Sequence, residues 1–279
     1  MLRIGELSRR LGVSTHVLRA WERRYGVLNP ARSEGGYRLY SEVDEDRIRI
    51  MQAHLARGLS AAEAAQASLR EAPVHVSPDP SAAGEALTRA LESFDEASAQ
   101  DVLDRLLTGF TPETVLRDVL LPYLHGLGER WDCGEVTVAQ EHFATNVVRA
   151  RVAALGRGWG RGRGPRALLA CPPGELHDIA LLAFGVVLYR SGWRVSYLGA
   201  ATPMPDLIHT AMAEPPEFIV LSSVDPARFA GLEPELRRLA GIAPLGLGGR
   251  GATEETARAV NARLLAGDPV TEAENLTPP

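Results

Sequence analysis

Gly174-Glu175-Leu176-His177-Asp178-Ile179-Ala180 is the stretch on which the fold turns. It follows an apolar run, Ala167-Leu168-Leu169-Ala170-Cys171, and a Pro172-Pro173-Gly174 break. It leads into Ile179-Ala180-Leu181-Leu182-Ala183-Phe184-Gly185-Val186-Val187-Leu188, an apolar run of helical length. Strand, turn and helix in that order put His177 at the carboxyl edge of a sheet, where open α/β folds bind ligands. An imidazole there can ligate a metal through one nitrogen while a carboxylate, of Glu175 or Asp178, holds the other. Alone, the same residues also describe a solvated turn histidine. The rest of the chain has to decide.

Downstream, strands are expected at Ala167–Cys171, Val195–Leu198, Phe218–Ser222 and Pro244–Leu247. Helices are expected near Ile179–Tyr189, Pro205–Ala213, Pro234–Ala240 and Thr253–Leu265. This alternation predicts a parallel, doubly wound sheet, a Rossmann-like (flavodoxin-like) α/β domain over 165–279. Its ligand edge collects Gly174–Asp178, Gly199-Ala200-Ala201-Thr202-Pro203, Ser222-Ser223-Val224-Asp225 and Gly246–Gly251.

Upstream, four amphipathic helices are expected: Ala83–Phe94, Glu96–Gly109, Pro112–Trp131 and Val136–Leu155. Asp95 and Thr111 suit N-caps, Pro112 suits a first helical position, and Pro122 predicts a kink. The pattern is a four-helix bundle over 81–160. Trp131 and the pair Glu141-His142 stand near one corner of it; alone they read as a tryptophan plugging a helix end beside solvated polar groups.

The amino-terminal 71 residues form a different part. Two short helices, Leu2–Leu11 and Thr15–Tyr25, flank Gly12-Val13-Ser14, with Ser14 or Thr15 as cap. The second buries Val17, Leu18 and Trp21 and turns out His16, Arg19, Arg23 and Arg24, the pattern of a helix-turn-helix. Asn29 to Tyr40 then reads as a hairpin wing tightened at Gly35-Gly36, and helices follow at about Ser41–Arg57 and Ser60–Leu69. Residues 72–80, rich in proline and containing His75, read as a linker.

Bulk composition bounds the function. The 279 residues are 45% hydrophobic and 23% charged, as in soluble globular proteins. No apolar run approaches a membrane span and no signal-peptide core is present, so a cytoplasmic protein is expected. Cys133 and Cys171 form no CxxC pair, and all 30 basic residues are arginine. Residues 1–70 hold 12 Arg against 8 Asp and Glu, a net of +4 in a chain of net −5. A basic head on an acidic body suits nucleic-acid binding. No Ser/His/Asp arrangement, P-loop or HExxH supports an enzyme.

The head resembles the DNA-binding domain of MerR-family regulators. The likeness is carried by Ile4-Gly5-Glu6-Leu7, Gly12-Val13-Ser14, Leu18-Arg19-Ala20-Trp21-Glu22-Arg23 and Gly36-Tyr37-Arg38-Leu39-Tyr40. It implies double-stranded operator DNA as partner, with Thr15, His16 and Arg19 toward base edges and Arg23, Arg32, Tyr37 and Arg38 toward phosphates.

The sheet domain resembles the cobalamin-binding domain of methionine synthase and the B12-dependent mutases. That family carries Asp-x-His-x-x-Gly, then about 41 residues, then Ser-x-Leu, and later Gly-Gly. Here Glu175-x-His177-x-x-Ala180 precedes 41 residues (181 to 221), then Ser222-Ser223-Val224 and, 23 residues on, Gly248-Gly249. The resemblance implies His177 as lower cobalt ligand, supported by Glu175 or Asp178, with Thr202, Ser222, Ser223, Gly248 and Gly249 beside the cofactor tail. Ala180 replaces the family glycine and adds a methyl beside that tail.

Head, bundle and B12 domain in this order resemble cobalamin-dependent, light-responsive repressors of the CarH/LitR type, which carry Trp, nine residues, then Glu-His in the bundle. Trp131 and Glu141-His142 keep that spacing (132 to 140). The likeness implies that Trp131, Val138, Glu141 and His142 cover the upper ligand of adenosylcobalamin. It also implies a homo-oligomer, a tetramer in the dark, that binds DNA and falls apart when light breaks the cobalt–carbon bond. Asp132 stands where those sensors carry a His that ligates cobalt after photolysis, so a two-imidazole photoproduct is not expected. Two alternatives stay open at this point: a regulator sensing cobalamin or another tetrapyrrole without light chemistry, and a corrinoid methyl carrier, which the head opposes.

Overall fold

The computed structural model describes residues 2–32, 37–56, 58–70 and 80–276. Residues 72–79 of the expected linker, with His75, and the wing tip Ser33–Gly36 lie outside the described residues; Pro80, expected as the linker's last residue, instead opens a helix. The chain divides into two compact units, Met1–Asp79 and Pro80–Pro279.

In the first unit, α1 (Ile4–Leu11) stops at Gly12, whose φ of 64° closes the helix with a left-handed residue. Ser14 then accepts the Val17 N–H and starts α2 (Thr15–Tyr25). Leu2, expected within the first helix, instead exchanges backbone hydrogen bonds with Tyr40, extending the wing. Strands β1 (Ala31–Arg32) and β2 (Arg38–Leu39) pair antiparallel, and α3 (Glu42–Ala56) and α4 (Ala61–Arg70) complete the unit. Leu7, Leu18, Tyr40, Ile48 and Met51 are fully buried at its centre. Buried Asp44 ties wing to helix by accepting N–H bonds from Asn29 (2.7 Å) and Ser41 (2.8 Å).

The second unit begins with α5 (Pro80–Glu92) and α6 (Glu96–Gly109). The third helix is composite: α7 (Pro112–Val115), a π-helical turn (Leu116–Leu120) and α8 (Leu121–Asp132). Asp95 and Thr111 cap as expected. The break expected at Pro122 takes the form of the π-turn ahead of it: proline offers no N–H to the preceding turn, and a widened turn removes the demand for one. Helix α9 (Val138–Leu155) starts two residues later than expected because Thr137 and Gln140 form a reciprocal capping box.

A five-stranded, wholly parallel sheet follows, from β3 (Arg166–Ala170), β4 (Arg194–Gly199), β5 (Phe218–Ser222), β6 (Leu245–Gly248) and β7 (Arg263–Leu265), in the order β4-β3-β5-β6-β7. Helices α10 (Ile179–Arg190), α11 (Met204–Ala213), α12 (Glu233–Ala240), α13 (Glu254–Ala259) and α14 (Pro269–Glu274) connect and close it. The span Thr253–Leu265, expected as one helix, is instead α13 and β7, turned at Asn261 with φ 57°. Asparagine tolerates that left-handed conformation, and Leu264 and Leu265 then go to the two faces of the sheet.

Strand residues alternate between two cores. Leu168, Ile219, Leu221 and Leu247 pack with α11, α12 and α13. Leu169, Val220 and Leu265 pack with α10 in a cluster continuous with the bundle residues Leu103, Leu116 and Val148. Bundle and sheet therefore share one core.

Candidate functional site

The strand order reverses between β3 and β5, and ligands of doubly wound sheets bind at the carboxyl ends of such a pair. The loop after β3 carries His177, and the loop after β5 carries Ser222 and Ser223. The two loops meet on Glu175. This carboxylate is buried (2% exposed) and fully engaged. Its Oε1 accepts the His177 backbone N–H (2.8 Å) and lies 2.7 Å from His177 Nδ1. Its Oε2 accepts the Ser223 hydroxyl (2.5 Å) and the Val224 N–H (2.8 Å). Burial pushes the Glu175 carboxyl up, but the bonds from Ser223, His177 and Val224 outweigh it and bring it down to about 2. The acid is therefore a fixed negative charge that selects the tautomer with hydrogen on Nδ1. The ring is 73% exposed and presents Nε2, with its lone pair, outward.

Asp178, the other candidate for this role, does not hold the ring. Its buried carboxylate accepts Arg149 Nε (3.0 Å), Arg149 Nη2 (2.6 Å) and the Tyr197 hydroxyl (2.9 Å). Neither Arg149 nor Tyr197 was singled out in the sequence; the signal was the helical spacing of Arg149 from Glu141-His142. Ser223 is fully buried with its hydroxyl on Glu175, so it supports the acid rather than lining an open surface. Thr202 is buried and closes the neighbouring loop, its hydroxyl on the Gly199 carbonyl (3.1 Å) and its N–H on the Cys171 carbonyl (3.0 Å).

Ser222 stands beside Gly248 in register. By strand alternation both belong to the α10 face. Gly248 has room, since a Cβ there would meet Leu265 at an ordinary 3.7 Å. Gly249 has none: φ is 81°, and a Cβ would sit 2.3 Å from the Ser223 carbonyl oxygen and 3.0 Å from Ser222 Oγ. Ala180 is half-buried in the first turn of α10. Cys171 is buried, its thiol 4.0 Å from the His177 carbonyl. Burial, then the charges of Asp178 and Glu175, push that thiol up to about 12, so it does not compete as a thiolate.

On the bundle, Val138, His142, Thr145 and Arg149 recur at helical spacing and form one stripe of α9 with Glu141. Arg149 reaches Asp178, so the stripe ends at the His177 loop. Glu141 accepts the Thr145 hydroxyl (2.8 Å) and lies 3.5 Å from His142 Nε2. Trp131 at the end of α8 is 46% exposed and Val138 53%, an unusual exposure for large apolar groups at a helix corner. Asp132 and Cys133 beside Trp131 are exposed as well.

In the head, Thr15, His16, Arg19 and Arg23 are all exposed on α2. Arg32 pairs with Arg38 through the backbone; its side chain lies outside the described part. Arg38 Nε is 3.0 Å from Glu22, which also accepts the Tyr40 hydroxyl (2.8 Å), so this candidate phosphate ligand already has an acidic partner. The Arg3 guanidinium lies 5.2 Å from the ring centre of exposed Tyr37.

Among the described residues no group of three or more His, Cys, Asp or Glu side chains could hold a metal ion. A single oriented imidazole beside a glycine-lined edge suits instead a metal that arrives with its other ligands in place. The residues present thus fit a corrinoid: His177 for the cobalt, Glu175 for the ring, and Gly248 with Ser222 where a tail would pass the backbone. No described helix is long and apolar enough to cross a membrane.

Comparison with known proteins matches three stretches of the chain. Residues 2–70 match the MerR HTH family regulatory protein pattern, and residues 83–155 and 165–276 match two B12 binding domain patterns. The chain is 35% identical over 248 residues to the HTH-type transcriptional repressor CarH of Myxococcus xanthus, covering 85% of this chain and 83% of that protein. It is 36% identical over 259 residues to the repressor CarA of the same organism, covering 91% and 88%. Among solved structures, the monomethylamine corrinoid protein of Methanosarcina barkeri matches with a TM-score of 0.54 at 15% identity, over 67% of this chain and 93% of that one, which is a likeness of fold.

Proposed function

The chain belongs to the family of HTH-type transcriptional repressors represented by CarH and CarA, MerR-type regulators with B12-binding domains, and we propose that it senses light through adenosylcobalamin. It is a regulator rather than an enzyme. The observation that carries the cofactor assignment is the 2.7 Å contact of His177 Nδ1 with buried Glu175, which leaves Nε2 open at the switch point of the sheet. His177 would hold the cobalt; Glu175, held by Ser223 and Val224, fixes its tautomer and ring orientation. Ser222, Gly248, Gly249 and Thr202 shape the tail's path, and Asp178 acts from behind the loop. When bound, adenosylcobalamin supplies a cobalt–carbon bond that visible light breaks. Trp131, Val138, Glu141 and His142 would cover the bound group from the bundle side and exclude water from it.

The working parts are the head (1–71), a linker (72–80), the bundle (81–160) and the cobalamin domain (165–279). In the dark the protein is a tetramer whose heads hold double-stranded operator DNA: Thr15, His16 and Arg19 read bases, while Arg23, Arg32, Tyr37 and Arg38 hold phosphates. Bound against the bundle face, the cofactor would act as a ligand that biases assembly toward the tetramer.

The test is the absorption spectrum and molar mass of protein loaded with adenosylcobalamin, before and after green light. A red holoprotein that bleaches, loses mass from tetramer toward monomer and releases DNA is expected. A red holoprotein whose spectrum and mass ignore light selects the second reading, a cobalamin sensor without light chemistry. Asp132 favours that reading, since it puts a carboxylate where related sensors have an imidazole.

A further inference from the structure

We propose that Arg149 is a positioning residue for His177, locking the last bundle helix to the loop that carries the imidazole. The inference rests on the reading of His177 as the ligand. Two acids, three positions apart, share this loop and divide its work. Glu175 aims the ring, whereas Asp178, next to His177, faces the bundle. The Asp178 carboxylate is 2% exposed and takes a two-pronged guanidinium from α9 at 3.0 and 2.6 Å, with the Tyr197 hydroxyl of β4 at 2.9 Å. Its backbone carbonyl accepts the Leu182 N–H (2.8 Å), opening α10, and the same tyrosine (3.2 Å). Side chain and main chain of one residue thus pin the loop to α9, α10 and β4 together.

Arg149 stands on the stripe that carries Val138, Glu141, His142 and Thr145. His142 and Arg149 are two turns apart, about 10 Å along the axis. A displacement of the exposed stripe therefore pulls on Asp178, and a displacement of His177 pulls back on the stripe. Removing Arg149 leaves a buried carboxylate with too few donors. Such a group relaxes toward water and takes its neighbours along. The lock is directional because a planar guanidinium grips both carboxylate oxygens, a grip that an ammonium reproduces only in part.

The full chain without cofactor provides the first test, by amide hydrogen exchange of wild type, Arg149→Ala and Arg149→Lys. Arg149→Ala is expected to speed exchange at His177 and Leu182 about tenfold, with Arg149→Lys between the two, while β5 and β6 keep their protection. Wild-type exchange at His177 and Leu182 in Arg149→Ala overturns the lock. So does equal acceleration across β5, β6 and α10, which marks general destabilisation. The second test is the imidazole-nitrogen splitting in the electron spin resonance of cobalamin-loaded, reduced protein. It is expected in wild type and diminished in Arg149→Ala, and full splitting in the variant also overturns the lock. Absence of splitting in wild type counts against the cofactor reading instead, and the exchange result then decides the lock by itself.

Discussion

Glu175 spends four hydrogen bonds on being ionised, and acid should undo them in order. Its folded value, about 2, lies below its ordinary 4.5, so the stability it contributes is complete above pH 4.5 and is lost as pH falls toward 2. The unfolding midpoint of the wild type should fall across that window more steeply than that of Glu175→Gln, which starts lower at neutral pH; parallel curves would refute the assignment. Gly249 makes a second residue-scale claim. Gly249→Ala combines a left-handed backbone with a 2.3 Å clash, and should cost about 2 kcal/mol or more in chemical denaturation. Gly248→Ala, with room for its methyl, is the control and should fold like wild type. The sequence showed an acid for His177 but not which one. Both candidates lie within two residues of the imidazole, and the choice was made by Arg149, 29 residues away. Spacing along the chain carries no record of such a partner.

Elements were most legible where a cap announces them. Ser14, Asp95 and Thr111 each accept an amide three residues on, and the helices they open start where the sequence puts them. Legibility failed at β7, because a three-residue strand ending a short amphipathic run has the same composition as one more helical turn. No element was expected beyond Leu265, yet α14 starts there with Asp268 as its cap and Pro269 at its first position. The wing illustrates what an element adds to a residue. Arg38 projects from β2 but is paired with Glu22, which Tyr40 also holds. The Arg38 side chain is 51% exposed, so the pair is cheap to open and Arg38 can turn to a phosphate when DNA arrives. Arg38→Ala should weaken binding to all DNA sequences alike and flatten the salt dependence by ~1 in log–log slope. A loss confined to one operator, seen in titrations over several salt concentrations, would show that Arg38 reads bases.

At the scale of the molecule, sequence pattern gives a helix-turn-helix head, a run of helices and a parallel sheet, and the fold contains each. What the pattern could not carry is that bundle and sheet bury one continuous core, because an apolar stripe on a helix states that a face is covered and never by what. The bundle is therefore no loose lid. Any rearrangement over His177 has to slide along packed side chains or give up apolar contact, which favours two discrete placements over a continuum. The two thiols add a practical consequence. Cys171 is sealed and its thiol held near 12, while Cys133 is exposed two residues from Trp131. At neutral pH a maleimide thus meets a single address, so one fluorophore, attached without mutating the chain, would sit at the corner whose movement is in question.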